Sequence, residues 1–110
     1  IVKPYAIFNL KGLTVGVIGI GNVSTLSSLM ETGNKLGITP IESAQVMQFY
    51  IDLLRDRVNI LIGATHLGLD EDPVMIKHTT GLDIVFGGHH HVVLDPPKTV
   101  MDCQDKELKK

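Results

Sequence analysis

Tryptophan is absent, and tyrosine and phenylalanine number only two and three. Any core built from this sequence must therefore rest on aliphatic side chains. The single cysteine, Cys103, excludes an internal disulfide and leaves the compartment open. It could pair only with a cysteine outside this segment. No apolar run approaches the roughly 20 residues that a membrane helix needs, so no membrane span is expected. An excess of one charge is also missing: ten Lys and Arg stand against twelve Asp and Glu, a net charge of -2 with histidine neutral. Without a basic field, nucleic acid and acidic membrane surfaces are excluded as electrostatic partners. The opening residues, Ile1-Val2-Lys3-Pro4-Tyr5, have neither an initiator methionine nor the form of a signal peptide. The expectation is a chain that has been processed, nicked or excerpted from a longer protein.

What is present is an ordinary globular balance, 44% apolar and 20% charged over 110 residues. That fits one domain or a piece of one. Tyr5–Leu10 predicts a short strand, Lys11-Gly12 a turn, and Leu13–Ile20 (LTVGVIGI) a strand of the kind covered on both faces in an α/β sheet. Together they predict a hairpin. Residues 21–37 are rich in Ser, Thr, Gly and Asn and predict a loop, with one helical turn at 26–30. Thr39-Pro40-Ile41-Glu42 matches a capping box, the Thr39 oxygen accepting from the third N–H while Glu42 reaches back. Pro40 would occupy the first helical position.

Ala44, Met47, Ile51, Leu54 and Val58 then recur at spacings of three and four, which is one apolar face of an amphipathic helix. The plain reading of that stripe is core packing. Residues 59–64 (NILIGA) predict a second buried strand and 82–86 (LDIVF) a third. Between them, 73–78 predict a short helix, with Asp70, Glu71 and Asp72 suiting its N-terminus and Gly81 ending it. Pro96-Pro97 breaks the chain. Residues 99–103 predict a strand, and 104–110 a charged, frayed tail. No internal repeat is visible.

Two histidine segments, Thr65-His66-Leu67-Gly68 and Gly87-Gly88-His89-His90-His91, each follow directly after a buried-type strand. In open α/β sheets, ligands gather at the carboxyl ends of strands. Imidazole is the commonest neutral metal ligand and suits Zn, Mn and Fe alongside carboxylates. Neighbouring strands lie about 4.8 Å apart, so loops from adjacent strands can converge on ions. Gly87 and Gly88 would permit a close, φ-positive turn. In extended backbone His89 and His91 would point one way and His90 the other. Taken singly, each feature has a plainer reading: a lone histidine after a strand is usually a surface or satisfied core residue, and three in a row can scavenge metal without chemistry. Two such loops in one short chain favour a shared site. His78, closing a short helix, reads as structural, its imidazole suited to the dipole there.

The run Ile60-Leu61-Ile62-Gly63-Ala64-Thr65-His66-Leu67-Gly68-Leu69-Asp70, followed by Gly81-Leu82-Asp83-Ile84-Val85-Phe86-Gly87-Gly88-His89-His90-His91, resembles the calcineurin-like metallophosphoesterases, specifically their 5'-nucleotidase branch. That branch carries Ser/Thr-His-x-Gly, then Gly-x-Asp leading into Gly-Gly-His-x-His. Lys3-Pro4-Tyr5 and Leu13-Thr14-Val15-Gly16-Val17-Ile18-Gly19 also resemble its preceding strands, so the match runs from residue 3 to residue 94. The resemblance implies an α/β fold, part of a metallophosphoesterase αββα sandwich with metal-binding loops at the strand C-termini, and residues 1–110 as a fragment of a single catalytic domain. It implies that His66 and His89 bind one metal and His91 the other. His90 would be a non-ligand lining the substrate mouth. It implies two divalent ions (Zn, Mn or Fe), a nucleotide or other phosphate monoester as substrate, and a secreted or cell-surface location.

The family's Asp-x-His, Gly-Asp and Gly-Asn-His-Asp/Glu motifs, which carry the bridging carboxylate and the catalytic histidine, have no counterpart in this chain. Neither do the closing strands or the nucleoside-holding domain, and Gly21-Asn22-Val23-Ser24 stands where a Thr-rich turn is usual. The expectation is half a metal cage, inactive alone and needing the missing N-terminal half or another copy. Two rival readings remain at this point. Val15-Gly16-Val17-Ile18-Gly19-Ile20-Gly21-Asn22-Val23-Ser24 approaches the dinucleotide-binding fingerprint of a Rossmann-like domain, with Ser24 at the third glycine position. The chain could also be a non-catalytic metal-binding module.

Overall fold

A computed structural model describes residues 2–22 and 40–110. Most of the expected 21–37 loop, its helical turn at 26–30, and Thr39 therefore lie outside the described residues. Strand β1 (Tyr5–Leu10) and strand β2 (Leu13–Ile20) form the expected antiparallel hairpin, with Tyr5 opposite Ile18 and Leu10 opposite Leu13. Helix α1 (Ser43–Leu54), a 3-10 turn (Arg55–Arg57), β3 (Ile60–Thr65), helix α2 (Glu71–Lys77), β4 (Ile84–Gly87), β5 (Thr99–Met101) and β6 (Glu107–Lys109) follow. Among the described residues the strands make one mixed α/β sheet, ordered β1-β2-β3-β4-β6-β5, in which β2, β3 and β4 run parallel.

Helix α1 starts later than the capping box implied. Glu42 itself is the N-cap, its carboxylate accepting from the Ala44 and Gln45 amides at 3.0 and 2.8 Å. A carboxylate one residue ahead of the helix satisfies two of its unpaired donors. Pro40 accordingly lies before the first turn rather than in it. The Ala44 N–H, then that of Gln45, hold the Glu42 carboxyl below its usual range.

Register assigns the sheet's two faces. Ile18, Gly63 and Val85 are direct neighbours across β2, β3 and β4, and so share a face with Leu61. On that face α1 lays Ala44, Met47, Ile51 and Leu54, and α2 lays Met75 and Ile76. Each fully buried aliphatic side chain of this kind stabilises the fold by about 1.5–3 kcal/mol. The opposite face carries Phe8, Val15 and Ile60 in one row, Val17, Ile62 and Ile84 in the next, and Ala64 beside Phe86. Phe8 and Phe86 are 50% and 63% exposed.

Two further expectations are corrected. Helix α2 ends at Lys77 with His78 as its C-cap, so Gly81 does not end it. His78 Nδ1 lies 2.8 Å from the Val74 carbonyl, the local structural contact expected of it. The tail is not frayed: Glu107–Lys109 pairs with both β4 and β5, and Leu108 is 1% exposed. Leu108 is a lone apolar residue between Glu107 and Lys109. One buried position in a three-residue strand leaves too little alternation to see against that charge.

Candidate metal centre

The two histidine loops leave the sheet side by side. Thr65 at the end of β3 stands opposite Gly87 at the end of β4. Beyond the strands, the Gly88 amide donates to the Thr65 carbonyl and the His66 amide to the Ile20 carbonyl, both at 2.9 Å. The ladder is thus carried one residue further, into each loop, and both loop starts are fixed by backbone bonds.

His66 and His89 meet there. His66 Nε2 lies 3.2 Å from His89 Nδ1, and the rings stand edge to face at 5.1 Å between centroids. Two imidazole nitrogens on one tetrahedral ion, each about 2.0–2.1 Å from it, would stand about 3.3 Å apart. The observed spacing matches that donor pair. His90 packs edge to face on His89 at 5.0 Å, and its Nδ1 accepts from the Leu69 amide at 3.1 Å. The neutral ring therefore carries its proton on Nε2. His91 is exposed. Among the described residues no three of His, Cys, Asp and Glu gather closely enough to hold an ion, so His91 does not join His66 and His89 as a third donor.

The loop's backbone differs from the expected one. Gly87 and Gly88 are not φ-positive; His89 and His91 are, at 90° and 55°. The alternation argument for His89 and His91 therefore fails, since neither residue is extended. Gly87 is needed for a different reason. A Cβ there would collide with Asp72 Oδ2.

Asp72 introduces side chains that the sequence did not flag for this site. Its carboxylate is fully buried and accepts from the Thr65 hydroxyl at 2.5 Å. Its other oxygen is ion-paired at 2.8 Å with the Lys110 ammonium, whose side chain is 4% exposed. Lys110 also donates to the Gly68 carbonyl at 3.3 Å, and Asn22 Nδ2 donates to that of Leu67 at 3.3 Å. Asp72 was legible only as a helix N-terminal charge, and Lys110 only as part of a solvated tail. A cavity of about 470 Å³ opens beside the loops, bounded among others by His89, His90, His91, Phe86, Leu94 and Lys110.

Asp83, from the Gly-x-Asp segment, lies just before β4, at the end of that strand opposite the histidines. It binds Arg55 at 2.7 Å, the Leu61 amide at 2.8 Å and Lys106 at 3.3 Å. Its role is structural.

No family model matches the chain. Curated relatives do. A 5'-nucleotidase-related protein of Glossina morsitans morsitans is 35% identical over 96 residues, covering 84% of this chain and 17% of that protein. A trifunctional nucleotide phosphoesterase of Bacillus subtilis (strain 168) is 27% identical over 99 residues, covering 90% of this chain and 7% of that protein. The solved 5'-nucleotidase precursor of Thermus thermophilus superposes with a TM-score of 0.75 at 24% identity, over 96% of this chain and 23% of its own. The fold is thus the one seen in 5'-nucleotidases, and this chain spans less than a quarter of each of these relatives. Against a dinucleotide-binding reading, Glu42, the acid about twenty residues past the glycines, caps a helix instead of tipping a strand. Val23 and Ser24 of that fingerprint lie outside the described residues.

Proposed function

We propose, from a chain that corresponds along most of its length to part of a 5'-nucleotidase domain, that it supplies one side of the metal cage of a phosphoric monoester hydrolase acting on nucleotides or similar phosphate esters. The observation that carries this reading is the meeting of His66 and His89 at 3.2 Å, from loops that end adjacent parallel strands.

In the proposed roles, His66 and His89 present neutral imidazole lone pairs to one cation and His91 serves a second. A pair of divalent ions (zinc, manganese or iron), if held there, would supply Lewis-acid activation of water and charge stabilisation at the phosphoryl oxygens. The residues of this chain orient that chemistry. The Thr65 carbonyl and Gly88 amide fix the loop starts, and His90, its Nδ1 engaged by Leu69, keeps an Nε2–H donor at the substrate mouth. Among the described residues no carboxylate joins the histidine pair, so these residues alone give an incomplete cage. The remaining ligands come from the rest of the natural protein or from another copy.

No helix among the described residues is long and apolar enough to cross a membrane. The Thermus thermophilus relative is a precursor, which supports an exported or cell-surface location for this protein as well.

The test uses the natural protein that carries this segment. Hydrolysis of a nucleoside 5'-monophosphate should vanish on chelation and return with divalent metal. His66→Asn and His89→Asn should each lower kcat/KM by at least about 100-fold. Full activity in chelator, or in both variants, would sink the reading.

A further inference from the structure

Beneath the two histidine loops lies a buried charge pair that the proposed chemistry does not use. Asp72 is fully buried and Lys110 nearly so, their charged groups 2.8 Å apart. Burying both charges is costly, and a pair of hydrophobic residues often serves stability as well or better. The contacts suggest what the pair does instead. The Asp72 carboxylate takes the hydroxyl of Thr65, the residue immediately before His66. The same carboxylate lies so close to Gly87 that only a glycine fits, and Gly87 is two residues before His89. Lys110 reaches the carbonyl of Gly68, two residues after His66. One carboxylate and its counter-ion thus touch both loops at their roots. All of these contacts lie on the sheet face that carries the helices.

We infer that Asp72, neutralised by Lys110, is a positioning residue that sets the spacing of His66 and His89 for a divalent cation. It does so without ligating the cation. The inference rests on the metal reading above and deepens it. Asp72 acts through Thr65 on one loop and through contact with Gly87 on the other, and Lys110 pairs with the buried carboxylate while tying down Gly68. Relaxing this support should loosen the pair and weaken cation affinity by about 10- to 100-fold, the usual consequence of removing outer hydrogen bonds from a metal site.

The test measures Co²⁺ affinity, and the visible absorption of bound Co²⁺, in the natural protein and its variants, with the melting temperature of each metal-free form as the control. Thr65→Val is the central variant, because it removes one hydroxyl and keeps shape and burial. It should leave the metal-free melting temperature within a few degrees of wild type, lower Co²⁺ affinity about 10-fold or more, and alter the absorption band. Thr65→Ser, which restores the hydroxyl, should recover affinity. The double change Asp72→Asn with Lys110→Met should bind Co²⁺ as weakly as Thr65→Val or more so. If the double variant does not fold, Thr65→Val and Thr65→Ser decide. Wild-type affinity and spectrum in Thr65→Val would overturn the inference alone. A wild-type protein that takes up no Co²⁺, or whose uptake is indifferent to His66→Asn, would overturn the metal reading and this inference with it.

Discussion

At Gly68 the backbone has φ +108°, and a Cβ there would stand 2.7 Å from His90 Cε1. The Thr-His-x-Gly motif was legible in the sequence, but the reason for its glycine was not, because that reason is the ring of a residue on a different loop. A non-glycine residue held in the left-handed region costs about 1–3 kcal/mol. Gly68→Ala should therefore lower the melting temperature. Adding His90→Ala should recover the part that comes from the clash and leave the part that comes from φ. Equal melting of Gly68→Ala and wild type would show that the loop does not hold this conformation. The same limit explains the other misses at the site. Thr65, Asp72 and Lys110 meet through tertiary packing, and no local spacing rule joins a short helix to a strand near the end of the chain. The histidines themselves were readable because each follows its strand immediately, and parallel pairing then brings the loops together.

The elements were legible where aliphatic runs were long. Strands β1 and β2 lie where the sequence placed them, and β3 is displaced by one residue. Strand β6 was missed because a single leucine carries its burial. The start of α1 was misplaced because a carboxylate can cap from a position where a capping box needs a hydroxyl. How these elements hold together turns on Asp83 and Arg55. Arg55, at the C-cap of α1, donates to the carbonyls of Gly81, Val58 and Asn59 as well as to Asp83. Asp83 in turn accepts from the Leu61 amide in β3. Burial draws the Asp83 carboxyl up, but the Arg55 hydrogen bond, the Leu61 amide, the Arg55 charge and Lys106 together outweigh it and hold the group below its ordinary range. The stability it contributes is complete above the unfolded value of about 3.9 and is lost as pH falls through the lower folded value. The melting temperature should thus fall in acid below about pH 4, and Asp83→Asn, which cannot ionise, should show a shallower fall. Parallel acid profiles for the two proteins would mean that Asp83 carries no such linkage.

On the scale of the whole molecule, the question is what the second face of the sheet does. Its helix-covered side is packed as a core should be. The other side carries Phe8, Val17, Ile62, Ile84 and Phe86 in three neighbouring rows across four strands, and Leu10 and Leu13 at the hairpin end are 58% and 42% exposed. A contiguous apolar surface of this kind is unusual on a stable monomer. The sequence anticipated it: LTVGVIGI and NILIGA are strands built for cover on both sides. The histidine pair points to the same incompleteness, since it has a donor spacing suited to one cation but, among the described residues, no carboxylate beside it. Produced alone, the 110-residue chain should associate with itself as concentration rises, through this face, and should hydrolyse no nucleotide. Analytical ultracentrifugation over a hundredfold concentration range checks the first point. Phe8→Lys with Phe86→Lys should shift the population toward monomer, because two charges placed on a buried interface cost far more than on an open surface. A wild-type chain that stays monomeric throughout, with a sharp melting transition independent of concentration, would mean that this face needs no partner, and the case for a half-built site would lose its structural support.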